Sequence, residues 1–302
     1  MCKLKSITVF LLWIFFSQHG VWAEEVDHST VALSTFFTPI WTLSEGLAQP
    51  ESVIYDAKRT RFYVSNVQGH HTEKDGKGYI SIVSLTGQLV EKEWVNNLNA
   101  PKGMAIVTDI LYVSDIDTLV AIDLKTAKVV EKYVIKTSKF LNDVTADEQG
   151  NVYVSDMSTN SIYYLCEGKL ALWLRDAELM NPNGLLAEKR GIVVASWGII
   201  TEGLATSTTG HLKLVSYTDK KISSLGNGKP IGNLDGVESD GKSGYYVTDW
   251  MAGKLFHFDQ QGQLLQTMQL KPGAADHAYL ADKSLLLIPM MNDNQLMAFK
   301  KK

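Results

Sequence analysis

The sequence predicts an all-β chain folded as a six-bladed β-propeller of four-stranded blades, and three observations carry the prediction. A pair of strands recurs six times. The copies are spaced by a near-constant interval of forty to fifty residues, which accommodates four short strands and their turns. The last copy is one strand short, while the chain upstream of the first holds one strand too many. Radial stacking of such units buries both faces of each sheet and leaves only short edges.

The repeat is clearest at Leu234-Asp235-Gly236, where a polar start opens a strand, an Asp240-Gly241 turn reverses it, and Tyr245-Tyr246-Val247-Thr248-Asp249 returns. The equivalent starts are Pro50-Glu51-Ser52, Pro101-Lys102-Gly103, Leu141-Asn142-Asp143, Pro182-Asn183-Gly184 and Ala275-Asp276-His277. Their middle residues are separated by 51, 40, 41, 52 and 41 positions. The return strands repeat as Phe62 to Asn66, Leu111 to Asp115, Val152 to Asp156, Val193 to Trp197, Tyr246 to Asp249 and Leu287 to Met290.

In chain order, Lys3 and Lys5 precede an apolar run, Thr8 to Phe16, and Val21-Trp22-Ala23 offers a small residue for cleavage. Residues 1–23 therefore read as a signal peptide, followed by a single propeller domain over 24–302. The run is too short for a good spanning helix, so no stable membrane insertion is expected once it is removed. The protein is expected to be exported, periplasmic or secreted, and monomeric. Thr35 to Leu43 has no blade of its own and is predicted to supply the outer strand of the sixth, with Pro39 suited to an edge. Blade one reads as Glu51 to Asp56, Phe62 to Asn66, Tyr79 to Ser84 and Leu89 to Val95. The two long spacings place insertions at 67–78 and 198–210, both between second and third strands and so both over the face where the starts lie. Loops longer than a turn requires are where function concentrates.

Composition narrows the function. Of two cysteines, Cys2 belongs to the signal, leaving Cys166 alone, so stability rests on packing rather than disulfides. The formal charge of −4 becomes more negative when Lys3 and Lys5 are lost, and no basic patch remains beyond the terminal lysines. Nucleic acid is excluded as a partner on that ground.

The first strand of each blade is innermost, so the start residues should ring the channel mouth. Glu51, Asn142, Asn183, Asp235 and Asp276 are oxygen donors, the type a hard divalent cation such as calcium takes. Any one of them could be ordinary turn chemistry; five of six at matched positions point to a polar axial site. Asp276 and Lys102 then become candidate substrate contacts, and His277 a candidate general base. Trp197 and Trp250 end return strands on the same face, where they can stack on a ligand or pack the rim. His70 and His71 read as solvated loop residues.

Pro50-Glu51, the segment Asn142-Asp143 through Asp147 to Gly150, Asn183-Gly184-Leu185 and Asp235-Gly236-Val237 with Asp240-Gly241 resemble the motifs of the gluconolactonase and regucalcin family, the senescence marker protein type of calcium-dependent six-bladed lactonases. The resemblance covers nearly all of residues 34–300. It implies metal binding by Glu51, Asn183 and Asp235, substrate contact by Asn142, a base role for Asp235, and a small lactone or ester as substrate. The chain departs from it at Lys102, an ammonium in the ring, expected to turn aside toward Glu51 or Asp276. It departs also at Phe140, which stands where the sugar-lactonase subgroup carries a substrate-gripping arginine. Those departures keep a second reading open, a non-catalytic module presenting the insertions and Trp197/Trp250 to a protein or carbohydrate partner.

Overall fold

The structure is a computed structural model and describes residues 36–302; the expected signal peptide lies outside them. The chain opens with β1 (Phe37–Leu43). Blade 1 follows as β2 (Pro50–Asp56), β3 (Arg61–Asn66), β4 (Gly78–Val83) and β5 (Leu89–Leu98). Blade 2 is β6 (Pro101–Val107), β7 (Ile110–Asp115), β8 (Thr118–Asp123) and β9 (Lys128–Val134). Blade 3 is β10 (Leu141–Ala146), β11 (Val152–Asp156), β12 (Ser161–Cys166) and β13 (Lys169–Arg175). Blade 4 begins with β14 (Pro182–Glu188) and β15 (Gly191–Ser196). It is interrupted by a hairpin, β16 (Gly198–Ile200) and β17 (Thr206–Thr209), and resumes with β18 (Leu212–Ser216) and β19 (Ile222–Ser224). Blade 5 is β20 (Leu234–Ser239), β21 (Tyr245–Asp249), β22 (Lys254–Phe258) and β23 (Leu264–Gln269). Blade 6 has β24 (Ala278–Leu280), β25 (Leu285–Met290) and β26 (Gln295–Lys301).

Each blade is an antiparallel sheet in simple order, and the six stand around a common axis, as predicted. β1 completes blade 6 by pairing with β26, from Phe37 opposite Lys301 to Leu43 opposite Leu296. Its register shifts between Pro39 and Trp41, on the outermost strand, where a sheet tolerates proline. The insertion of blade 4 is a hairpin rather than an irregular loop, a feature its Thr-rich second half did not announce.

The return strands are buried on both sides, so apolar residues point to either face. Successive residues serve opposite neighbours. Phe62 and Val64 pack with Leu285 and Leu287 of blade 6, while Tyr63 between them packs with Leu111 and Val113 of blade 2. Val152 and Val154 face blade 2 and Tyr153 faces blade 4. Tyr245 and Val247 face blade 4, whereas Tyr246 joins Phe37, Leu286 and Ile288 of blade 6. The core is thus six interfaces, one between each pair of blades.

The inner strands carry the device that builds the site. In blades 1 to 5 the pairing slips at the start: Leu141 faces Asp156 but Val144 already faces Val154, and the same slip follows Pro50, Pro101, Pro182 and Leu234. A bulge of this kind re-aims a side chain out of the pleat. In blade 6 the corresponding bridge is Ala274 with Met290, and pairing resumes at Ala278 with Leu287, one residue longer on both strands.

Candidate functional site

The repeated serine of the return strand holds the inner strands in place. Ser155 Oγ accepts from the Asp143 N–H at 2.9 Å and donates to the Asn183 carbonyl of the next blade at 2.7 Å. Thr248 repeats the arrangement, accepting from Gly236 N–H and donating to Ala275 O, and Ser114 donates to Asn142 O. These hydroxyls satisfy backbone groups that the bulge has taken out of the ladder. The glycines that follow the starts serve the same close approach: a Cβ on Gly184 would stand 2.1 Å from Asp235 O. The carboxyl and amide ends of the return strands are also structural. Asp115 accepts from the N–H groups of Asn99 and Ala100, and Asn66 from that of Ala48, and neither lines the axial pocket.

Five start residues, Glu51, Lys102, Asn142, Asn183 and Asp235, meet in one axial pocket of about 300 Å³. All five are buried, and Trp197, Trp250, Phe140, Met157, Leu204 and Met291 form its apolar wall. Trp197 and Trp250 lie 6.2 Å apart at 49°, and Trp197 Nε1 donates to Leu204 O in the blade 4 hairpin. The pocket floor is under-satisfied. Glu51 Oε2 and Asp235 Oδ1 are buried without a hydrogen-bond partner, while Asp235 Oδ2 accepts from Asn183 Nδ2 at 3.3 Å. Burial first, and mutual repulsion next, raise the pKa of Glu51 well above the carboxylate range; burial and Asp276 do the same for Asp235.

Lys102 pairs with neither Glu51 nor Asp276. Its Nζ donates to Ala100 O at 2.9 Å and His71 O at 3.1 Å and lies 5.0 Å from the centre of the Phe140 ring. Burial lowers its pKa, with Glu51 partly restoring it. Phe140, the departure noted in the sequence, is therefore the face on which the ammonium rests. His71 also lines the pocket, stacked on His70 at 4.3 Å, with burial lowering its pKa to about 4. The sequence reads His71 as a solvated loop residue, whereas the path of the insertion folds it inward.

Asp276 and His277 lie elsewhere. Asp276, displaced by the longer start of blade 6, accepts from Ser52 Oγ at 2.6 Å and lines a cavity of about 190 Å³ at the other end of the channel with Asp143 and Glu238. Burial pushes its pKa up to about 6, and burial with Asp276 nearby pushes Glu238 up to about 8. His277 is fully buried and lines neither cavity; burial lowers its pKa to about 3, offset in part by the Tyr246 backbone, and neither ring nitrogen makes a hydrogen bond of good geometry.

The floor suits a hard cation in donor type: two carboxylates with free oxygens and two amides, and no cysteine, the Met157 thioether being occupied as acceptor from Asn142 Nδ2 at 3.0 Å. Among the described residues no three His, Cys, Asp or Glu side chains gather as a metal site, so any cation here needs the asparagine oxygens. No helix among them is long and apolar enough to cross a membrane.

No protein-family model matches the sequence, and no curated protein matches it. Likeness shows in the fold. The structure of a streptogramin B lyase superposes with a TM-score of 0.63 at 11% identity, over 88% of this chain and 98% of that one. A nidogen/laminin complex gives 0.57 at 14% identity, over 73% of this chain and 80% of that one. The architecture is a propeller in company with propellers, one of which is by its name an enzyme.

Proposed function

We propose that the axial pocket is the site of a metal-dependent hydrolase acting on a small lactone or ester, with Glu51, Asn183 and Asp235 holding a calcium ion. The observation that carries this reading is the pair of buried carboxylate oxygens, Glu51 Oε2 and Asp235 Oδ1, left without partners on the floor of a pocket walled by aromatic rings. Bare buried carboxylates are costly, and a cation removes that cost.

When bound, such an ion polarises a carbonyl and stabilises the oxyanion formed on attack. The chain's own groups supply the rest. Trp197, Trp250 and Phe140 exclude water around the acyl group and lower the local dielectric. Asn142, on the floor between Lys102 and Asn183, orients the carbonyl oxygen through its side-chain amide. Asp235 keeps Oδ2 on the Asn183 amide and has Oδ1 available as ligand or as acceptor of the proton from an attacking water. His277 takes no part, because it does not reach the pocket.

The second reading, a non-catalytic module for a protein or carbohydrate ligand, is favoured by one observation, the Lys102 ammonium at the floor. Hydrolysis of γ-butyrolactone and phenyl acetate, followed with calcium and with chelator, separates the two. The hydrolase reading expects turnover that calcium restores and that Asp235→Asn lowers by about a hundredfold or more. Absence of turnover on every ester and lactone tried would leave the binding module.

A further inference from the structure

The axial pocket does not end at its rim. A second cavity of about 470 Å³ shares His71, Phe140, Met157 and Leu204 with it and continues outward between the two insertions, with Ile200 and Gly203 of the blade 4 hairpin on one side and Thr72 of the blade 1 insertion on the other. Both walls are tied down. Ile200 N–H donates to Asn181 Oδ1, and Asn233 Nδ2 donates to Trp197 O and Thr206 Oγ1 at the hairpin base. Lys74 pairs with Asp117, and Lys102 Nζ holds His71 O. The buried carboxylates and the Lys102 ammonium sit in the axial pocket, while Phe140, Met157, Ile200 and Leu204 give the groove a continuous apolar side, with Thr72, Ser158 and Asn181 as polar wall residues and Lys139 as its one charged one.

We propose that the two cavities form one bipartite site, the pocket taking the reacting lactone or ester group and the groove taking an extended apolar chain attached to it, which makes the substrate an amphipathic acyl compound. This rests on the hydrolase reading for the head group and on the groove alone for the chain. An apolar channel anchored in advance strengthens binding with each methylene it removes from water, by about fourfold, until it is full.

The test is a series of γ-lactones bearing straight alkyl chains from methyl to octyl, with kcat/KM measured in calcium and affinity measured by calorimetry on the Asp235→Asn protein. The expected result is a rise of about fourfold per methylene in both quantities. Ile200→Ser, a change on a half-exposed hairpin outside the blades, should lower the octyl-to-methyl ratio of kcat/KM several-fold. Turnover with no dependence on chain length overturns the bipartite site and leaves the hydrolase. If no lactone turns over, the hydrolase reading fails, and the calorimetric series then decides the groove by itself: a rising slope supports it and a flat one overturns it.

Discussion

Glu51 and Asp235 are the two residues whose surroundings are hardest to explain without a ligand, since each keeps a buried oxygen with nothing to accept from. Their raised pKa values mean that a proton must leave when a cation arrives, so calcium should bind more tightly as pH rises and should release protons, which calorimetry in buffers of different ionisation enthalpy reads directly. Lys102 would work against the proposed ion. Replacing it in Lys102→Met removes a positive charge from the floor and should tighten calcium binding by about tenfold or more, since charge repulsion at this range exceeds about 1.4 kcal/mol even at a protein-like dielectric; weaker binding would show that the ammonium helps the site. Ser155 tests the scaffold rather than the site. Ser155→Ala strands the Asp143 N–H and the Asn183 carbonyl in the interior and should cost about 1–3 kcal/mol in urea unfolding. The motif containing Ser155 was visible in the sequence, but its role was not, because a hydroxyl that bridges two blades leaves no spacing signal in one chain.

Among the elements, β1 is the one whose removal should matter most. It arrives from outside the repeat to close blade 6, and Phe37 is buried against Tyr246, Leu286 and Phe299. Phe37→Ala should lower stability by about 3–5 kcal/mol, whereas Ile40→Ala, on the exposed face of the same strand, should change it little. Equal effects would mean that the strand is held by backbone pairing and not by its core face. This closure was legible in the sequence because the last copy lacked a strand and the first had one too many. The start of blade 6 was misread for a physical reason: Asp276 matches Asp235 in residue type, yet an added residue on both strands shifts the backbone, and residue type carries no record of register. The insertions were located by their length alone. That the second is a hairpin carrying Leu204 to Trp197, and that the first turns His71 inward, depends on contacts between distant parts of the chain.

At the scale of the whole molecule, the channel concentrates titratable groups at both ends. Asp276 and Glu238 hold protons in the folded protein to about pH 6 and about pH 8, well above their unfolded values near 4. Between those limits the folded state binds more protons than the unfolded one, so their contribution to stability is full in acid and is lost as pH rises. His277 has the opposite sign, with its folded value near 3 below the ordinary 6.5, and its effect is over by neutral pH. Between pH 6.5 and 8 the wild type should therefore lose stability in urea titrations and Glu238→Gln should lose less, the remainder falling to Glu51 and Asp235, whose values are raised in the same direction; parallel curves would show that Glu238 contributes nothing. The proposed axial cation is tested by thermal unfolding of the wild type and of Asp235→Ala, each stripped with chelator and then titrated with calcium. A ligand bound only by the folded state adds about 2.7 kcal/mol at a hundredfold excess over its dissociation constant. Calcium should raise the midpoint of the wild type and leave that of Asp235→Ala unchanged. A wild-type midpoint indifferent to calcium and to other divalent ions would show that the axial pocket holds no cation.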